Sequence, residues 1–187
     1  MRYPMMVDLS EKIVKIMGGG EVARRKGLAL RKYCNHLYVI APEINRDLEF
    51  ANCIYSEVKE EHLNDADFVI ICTNNESINE RLAAACKERN IWYLLASDEK
   101  NSEIIFPGVL DLGELQFCVT TNGAYPALAR QIKEDALIKY MKYDMEYLKE
   151  LKTFRKIVID NNLDKQLLYD VLDLNVEELK EYIGRYK

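Results

Sequence analysis

The sequence predicts an α/β fold in which a parallel sheet is followed by a smaller region. Short apolar runs alternate with helical segments over the first half of the chain, and this alternation favours parallel strands. The runs are almost continuously apolar, which indicates a sheet that is covered on both faces. A triple glycine at residues 18–20 directly follows the first run, an arrangement typical of a nucleotide-binding Rossmann domain.

The predicted strands follow one another up to residue 95. The first strand, Ile13–Met17, ends on the glycines, and apolar positions at helical spacing over 22–33 then predict a helix. The second strand, over 37–41, stops at Pro42 because proline has no N–H for a ladder. Further apolar runs predict the rest of the sheet, with strands at 53–55, 68–72 and 91–95 and a helix over 77–89.

The pattern changes at residue 104. Two apolar segments, 104–110 and 115–120, flank a polar stretch that is too short for a helix, and they predict a β-hairpin. Pro126, in a favoured first helical position, then begins a predicted long helix. Its apolar side chains recur every three or four residues, at Leu137, Met141, Met145 and Leu148.

These segments predict three regions along the chain. We expect an NAD-binding Rossmann domain over 1–103, a dimerisation region over 104–150 and a helical region over 151–187. The helical region has a predicted break near 161–162 and a final helix from about Val176. An apolar stripe on a long helix indicates a homodimer. The alternative is that the stripe packs onto the chain's own Rossmann domain.

Size and composition exclude several classes of protein. With 187 residues, the chain can bury a core without disulfides. It contains no apolar run near the roughly 18 residues of a membrane span, and its net charge of −5 disfavours a nucleic-acid partner. The N-terminus lacks a signal-peptide pattern, so a cytoplasmic protein is expected. Five widely spaced cysteines without a Cys-x-x-Cys pair predict reduced thiols and no metal site.

The glycines belong to a dinucleotide-binding motif. Residues 18–23, Gly-Gly-Gly-Glu-Val-Ala, fit the Gly-x-Gly-x-x-Ala fingerprint. In that fingerprint Gly18 permits the tight turn, Gly20 lets the backbone approach a pyrophosphate, and Ala23 lets the helix pack closely on the strand. The following helix offers free N–H groups to phosphates. The alternative is a glycine-rich turn that serves only the geometry of the chain.

The ribose-binding acid of the fingerprint is displaced. It is expected about 20 residues beyond the glycines, where the chain has Ala41-Pro42 and only then Glu43. Either the Glu43 side chain contacts the ribose, or backbone groups of Pro42 and Glu43 replace that contact, or Glu43 is an ordinary loop residue. No arginine stands at the strand end to meet a 2′-phosphate, although Arg46 is near, so NAD is favoured over NADP.

A set of short segments in the first 137 residues carries a family resemblance. In chain order they are 3–9, the glycine turn with 21–26, Ala41-Pro42, 73–75 with Asn79, Phe106-Pro107, and 120–130. Together they resemble precorrin-2 dehydrogenases and the N-terminal modules of siroheme synthases. The resemblance implies a homodimer that uses NAD to oxidise the tetrapyrrole precorrin-2 to sirohydrochlorin in siroheme biosynthesis. Some members of the family also insert ferrous iron into the product.

The resemblance also implies which residues form the site. Thr121 and Asn122 would line the tetrapyrrole pocket. From its charge and its place at the end of 120–130, Arg130 is the best candidate to neutralise a substrate carboxylate, and the alternative is a solvated arginine on an exposed helix face. The residues that would contact NAD or shape its site are Gly18, Gly20, Glu21, Val22, Pro42, Glu43 and Thr73.

The chain departs from the family at the end of the fifth strand. The family has an aspartate there to which acid–base work is assigned, and counting back from Phe106-Pro107 places it on Ser97. The nearest carboxylate is Asp98. If the loop slips by one residue, Asp98 occupies the catalytic position and accepts the substrate proton. The alternative is that Ser97 and Asp98 are turn or helix-cap residues.

Two other functions stay open. A regulatory module would bind NAD(H) and transmit its occupancy without chemistry, which the altered fifth-strand segment permits. A dehydrogenase for an unrelated small substrate would share the NAD site. The segment 120–130 favours the tetrapyrrole enzyme, because a sensor would not need it. Iron insertion needs ligands in the pocket, and the only histidines, His36 and His62, are more typical of structural positions.

Overall fold

The computed structural model describes residues 2–186, apart from the side chain of Glu99. The chain forms two compact units, one up to Ile105 and one from Phe106 onward. The first unit holds the glycine turn and the second holds the hairpin and the C-terminal helices.

The first unit is a five-stranded parallel sheet with helices, which confirms the predicted α/β class. The strands are β1 (Ile13–Met17), β2 (His36–Ala41), β3 (Asn52–Tyr55), β4 (Phe68–Ile71) and β5 (Trp92–Leu95). Their order in the sheet is β3-β2-β1-β4-β5, and all neighbours pair in parallel. The helices are α1 (Glu21–Leu30) and α2 (Glu76–Glu88), with 3-10 segments at Arg46–Leu48, Glu60–Leu63 and Glu99–Asn101.

Burial explains why the strands were predictable. All four residues of β4 are buried, as are Val14, Ile16 and Met17 of β1, so the central strands are covered on both faces. Helix α1 packs closely on the sheet through Ala23, which is fully buried, and through Gly27. A methyl group on Gly27 would overlap the Leu48 side chain. The helix therefore needs small residues on this face.

The second unit begins with the predicted hairpin. Strands β6 (Gly108–Asp111) and β7 (Gln116–Val119) pair antiparallel, with Gly108 opposite Val119. The turn is closed by Asp111, whose Oδ1 accepts a hydrogen bond of 2.9 Å from the Gly113 N–H. Gly113 adopts a φ of 88°, a conformation that favours glycine.

The predicted single long helix after the hairpin is wrong. The chain forms two helices here, α3 (Pro126–Tyr140) and α4 (Met145–Asp160). The break occurs because Asp144 caps the second helix: its side chain accepts a 2.9 Å hydrogen bond from the Tyr147 N–H. Leu137 and Met141 therefore do not share a helix with Met145 and Leu148, and the predicted continuous stripe does not exist.

The C-terminal helices have a core of their own. Helix α4 packs with α5 (Leu167–Asp170) and α6 (Val176–Gly184). The buried residues of this cluster are Tyr147, Phe154, Val158, Val171, Leu179 and Ile183. The predicted break at Asn161-Asn162 and the final helix are confirmed. Helix α4 runs across residue 150, where a region boundary was predicted.

Candidate functional site

A cavity of about 710 Å³ lies at the carboxyl ends of the strands in the first unit. Ligands of open parallel sheets bind at this edge, and the volume is in the range of small-molecule sites. It is lined by the last residue of β2, by residues that follow β1, β2, β3 and β4, and by one residue of α2: Gly18, Gly19, Gly20, Ala41, Pro42, Glu43, Ile44, Asn45, Glu57, Val58, Cys72, Thr73, Asn74, Asn75 and Ile78.

Two of the three glycines are required by the fold itself. Gly18 has a φ of 135°, and a Cβ on it would lie 2.6 Å from the carbonyl oxygen of Cys72. A Cβ on Gly19 would overlap the carbonyl oxygen of Glu43. The carbonyl oxygen of Gly19 accepts a 2.9 Å hydrogen bond from the Asn45 N–H, and this bond holds Gly19 in place. The fingerprint gives no role to Gly19, and only the run of three glycines hints at it.

Gly20 is different, because it faces open space. No atom lies within 4 Å of the position that its Cβ would occupy. Gly20 is the N-cap of α1, and as a glycine it has no side chain to cap the first turn of that helix. The N–H groups and the positive end of the helix dipole therefore stay available to an anion. This arrangement fits the pyrophosphate of a dinucleotide.

Predicted cofactor residues divide into two groups. Gly18, Gly20, Pro42, Glu43 and Thr73 line the cavity together. The other two, Glu21 and Val22, are not among the described residues that line it. The Glu21 carboxylate instead accepts two hydrogen bonds of 2.7 Å from the guanidinium of Arg24, which lower the pKa of Glu21.

The loop after β4 is fixed by a buried amide. Asn79 is 3% exposed, and its Oδ1 accepts hydrogen bonds from the Thr73 hydroxyl at 2.6 Å and from the Thr73 N–H at 3.2 Å. Its Nδ2 donates to the Thr73 carbonyl at 2.9 Å. Asn75 caps α2 by accepting a hydrogen bond from the Ile78 N–H. The cavity wall at 73–75 is therefore rigidly held.

A cysteine also lines the cavity. Burial raises the pKa of the Cys72 thiol from its ordinary value to about 12, and the nearby Lys26 lowers it only in part. At neutral pH the thiol stays protonated, so it fills space beside Gly18 and has no nucleophilic character.

The charges around the cavity are acidic. Glu43 and Glu57 line it, while neither lysine nor arginine occurs among the described residues that do so. Sequence reasoning found Glu43 from its distance to the glycines. It missed Glu57, because no motif marks the residues that follow β3.

Ser97 and Asp98 do not line the cavity in the described part of the chain. The Asp98 carboxylate accepts hydrogen bonds from the Lys100 N–H at 3.0 Å and the Asn101 N–H at 3.4 Å. It also accepts one of 2.6 Å from the Asn101 side chain. Ser97 is exposed. The structure thus gives Asp98 the hydrogen bonds of a loop cap, and its catalytic assignment stays a prediction.

A buried serine anchors the same loop. The Ser102 hydroxyl accepts a hydrogen bond of 2.8 Å from the Leu95 N–H and lies within reach of the carbonyl oxygens of Leu95 and Asp98. These contacts tie the end of the loop back to β5. A serine in a polar loop gives no sequence signal for such a role.

The predicted substrate residues lie in the second unit. Thr121 accepts a hydrogen bond of 3.0 Å from the Tyr125 N–H. Asn122 has a positive φ of 51°, which asparagine tolerates better than most residues. Arg130 is largely exposed and pairs with Glu134 at 2.9 Å. Their roles toward a substrate stay predictions.

Within residues 2–186, no group of three or more His, Cys, Asp or Glu side chains is arranged to hold a metal ion. No helix in that range combines the length and the apolar character that crossing a membrane requires.

Comparisons with known proteins agree with the geometry. The profile of a family described as NAD(P)-binding matches residues 5–108. The siroheme synthase of Tolumonas auensis is 32% identical over 135 residues, which are 70% of this chain and 29% of that protein. The precorrin-2 dehydrogenase of Priestia megaterium is 25% identical over an alignment of 202 positions, which covers 99% of this chain and 100% of that protein.

The fold has a match among solved structures. A chain described as SirC, precorrin-2 dehydrogenase, superposes with a TM-score of 0.82 at 24% identity and covers 99% of this chain and 98% of its own length. The siroheme synthases are longer, and this chain spans 29% to 41% of two of them. The predicted resemblance is therefore confirmed, and the chain belongs to the NAD(P)-binding family that includes precorrin-2 dehydrogenases and the N-terminal modules of siroheme synthases.

Proposed function

We propose that this protein is a precorrin-2 dehydrogenase, which oxidises precorrin-2 to sirohydrochlorin in siroheme biosynthesis with NAD as electron acceptor. One observation carries the proposal: a relative named precorrin-2 dehydrogenase aligns with 99% of this chain and with 100% of its own length. A match to both units is stronger support than a match to the nucleotide domain alone, which many unrelated dehydrogenases share.

The cavity supports a dinucleotide cofactor. The open N–H groups at Gly20 and the first turn of α1 would hold the pyrophosphate, and Pro42 and Glu43 at the end of β2 would hold the ribose. Thr73, which is fixed by Asn79, would support the cavity wall at 73–75. The bound cofactor supplies the nicotinamide ring that takes up the hydride. The acidic lining supports NAD, because a 2′-phosphate would find no cation among the described lining residues.

The oxidation also releases a proton from the substrate, and we propose Asp98 as its acceptor. It lies three residues beyond β5, at the edge of the sheet where ligands bind. Its carboxylate is engaged by the backbone and side chain of residues 100–101. Proton transfer requires the loop to exchange at least one of these hydrogen bonds for the substrate, as is common when catalytic hydrogen bonds form only in the complex.

A homodimer is the proposed assembly. Helix α3 has 15 residues, and none of them is buried within the chain. Leu128 and Ile132, one helical turn apart, are 48% and 43% exposed, and Met141 at its end is 63% exposed. A long helix without a buried face in its own unit is typical of an interface. The proposed interface is confined to α3, because the apolar stripe does not continue into α4.

Incubation of the purified protein with precorrin-2 and NAD tests the function. The expected result is the absorbance of sirohydrochlorin, which appears only when both are present. The Gly20→Asp variant is the matched control, since it keeps the fold and blocks the pyrophosphate. Binding of NAD without product would refute the dehydrogenase and leave the NAD site intact.

A second candidate is a sensor that binds NAD(H) without chemistry. The observation in its favour is that the loop itself satisfies the Asp98 carboxylate. A sensor would bind NAD and change its dimer affinity, while the enzyme would turn over precorrin-2. The incubation above separates the two, because only the enzyme yields sirohydrochlorin.

A further inference from the structure

The cavity contains one carboxylate that the dinucleotide fingerprint does not call for. Glu57 lines it from the segment that follows β3. The Ser56 N–H donates a hydrogen bond of 3.2 Å to the Ala41 carbonyl oxygen and so continues the pairing of β3 with β2 beyond Tyr55. This bond keeps the segment that carries Glu57 beside the end of β2.

The sheet order determines which part of a dinucleotide reaches Glu57. The pyrophosphate position at Gly20 lies above β1, β2 is the next strand outward, and β3 is the edge strand. In folds with this fingerprint, the acid at the end of β2 binds the 2′-hydroxyl of the adenosine ribose. A phosphate on that hydroxyl would stand at the outer end of the cavity, where the charged lining side chains in the described chain are Glu43 and Glu57.

We propose that Glu57 is a specificity-determining residue that excludes NADP from this site. The inference rests on the proposed NAD-dependent function. A 2′-phosphate carries close to two negative charges at neutral pH, and a neighbouring carboxylate repels it without affecting the 2′-hydroxyl of NAD. Glu43, two residues beyond the end of β2, is the proposed contact of the ribose. Glu57 supplies a second charge from the neighbouring strand, so discrimination does not depend on the displaced Glu43 alone.

Charge neutralisation at Glu57 tests the proposal. Calorimetric titrations with NAD and with NADP would compare the parent protein, Glu57→Gln and the control Glu61→Gln. Glu61 is exposed and does not line the cavity, so its substitution makes the same change in net charge elsewhere. Glu57→Gln is expected to tighten NADP binding about tenfold and to leave NAD binding within about threefold. The gain should shrink at high salt, because salt screens exposed charges.

The outcomes separate the inference from the function on which it rests. If the parent binds NAD and Glu57→Gln leaves the NADP affinity unchanged, the specificity role is refuted and the NAD site stands. If Glu57→Gln weakens both cofactors equally, Glu57 contacts a part that they share, and the role is again refuted. If the parent binds neither cofactor, the proposed function itself fails. An equal gain in Glu61→Gln would assign the effect to net charge and overturn the role of Glu57.

Discussion

The side chain of Asn79 forms hydrogen bonds with the hydroxyl, the N–H and the carbonyl of one residue, Thr73. Asn79 lies on α2 and Thr73 on the loop that follows β4, so this pair fixes the helix to the rim of the cavity. Because Asn79 is buried, water does not replace its hydrogen bonds when they are lost.

Asn79→Ala should therefore lower the free energy of unfolding by about 1–3 kcal/mol, since it removes the buried amide that bonds the hydroxyl, the N–H and the carbonyl of Thr73. It should also weaken NAD binding, because the loop at 73–75 loses its anchor. Urea unfolding and NAD titration measure the two effects. Glu80→Ala, at an exposed position of the same helix and outside the cavity lining, is the control. An Asn79→Ala variant with the stability of the parent would contradict this role.

Gly20→Asp should abolish NAD binding and leave the fold intact. The variant places a side chain and a negative charge against the pyrophosphate, while no atom of the protein itself lies near the new Cβ. Circular dichroism checks the fold and titration checks NAD binding. Gly19→Ala is the informative comparison, since its Cβ would overlap the Glu43 carbonyl and should destabilise the protein before any ligand is added. Unchanged NAD affinity in a folded Gly20→Asp protein would remove the site assignment.

Asp98→Asn should keep NAD binding and lower turnover of precorrin-2 by about 10²–10⁴-fold, the usual contribution of a positioned base. Asn101→Ala is the matched control: it removes the 2.6 Å hydrogen bond to Asp98 and keeps the carboxylate. Ser97→Ala should have little effect. If Asp98→Asn and Asn101→Ala reduce turnover by the same small factor, Asp98 is only a loop cap, and the proton acceptor must be sought elsewhere.

The dimer proposal predicts that Ile132→Asp yields monomers. Ile132 is 43% exposed on α3, so the change should disturb an interface and spare the core. Light scattering at micromolar concentration gives the mass of each protein. Ile159→Asp, at an exposed position of α4, is the control for an added surface charge. A parent protein that is already monomeric under these conditions would end the proposal.

Thiol reactivity should follow burial. Desolvation raises the pKa of Cys72 and of Cys86 to about 12, whereas Cys118 is exposed. At pH 8 a group with a raised pKa has less thiolate, so Cys118 should be alkylated first. The same shifts favour the folded state below the ordinary thiol pKa, and this contribution is lost as pH rises from there to about 12. Mass spectrometry of timed alkylation checks the order, and early labelling of Cys72 would contradict it.

The strands and the glycine turn were predictable from the sequence because each rests on a strong local signal. A continuous apolar run such as 68–71 is typical of a buried strand. The break between α3 and α4 was missed because apolar residues keep their helical spacing across it. Asp144, the N-cap of α4, and Glu146 in the first turn of that helix mark the break.

The site was only partly predictable, because several of its residues depend on tertiary contacts. Glu57 and Ser102 stand in polar loops without a motif, and only the pairing of β3 with β2 or the return of the loop to β5 gives them a place. Whether the Asp98 carboxylate faces a substrate depends on the path of residues 96–101 after β5. Such a path is set by a few hydrogen bonds of similar strength, which a sequence pattern does not rank.

The three glycines at the turn differ in the room that the fold leaves for a side chain. Any side chain at positions 18 or 19 collides with the protein's own backbone. In a library of variants at these two positions, most variants should therefore fail a screen for soluble protein. Position 20 has room in the free protein, and variants there would survive that first screen and be lost only in a second screen for growth that depends on the cofactor. A relative that no longer binds a dinucleotide would therefore be free to change residue 20 while it retained glycine at positions 18 and 19.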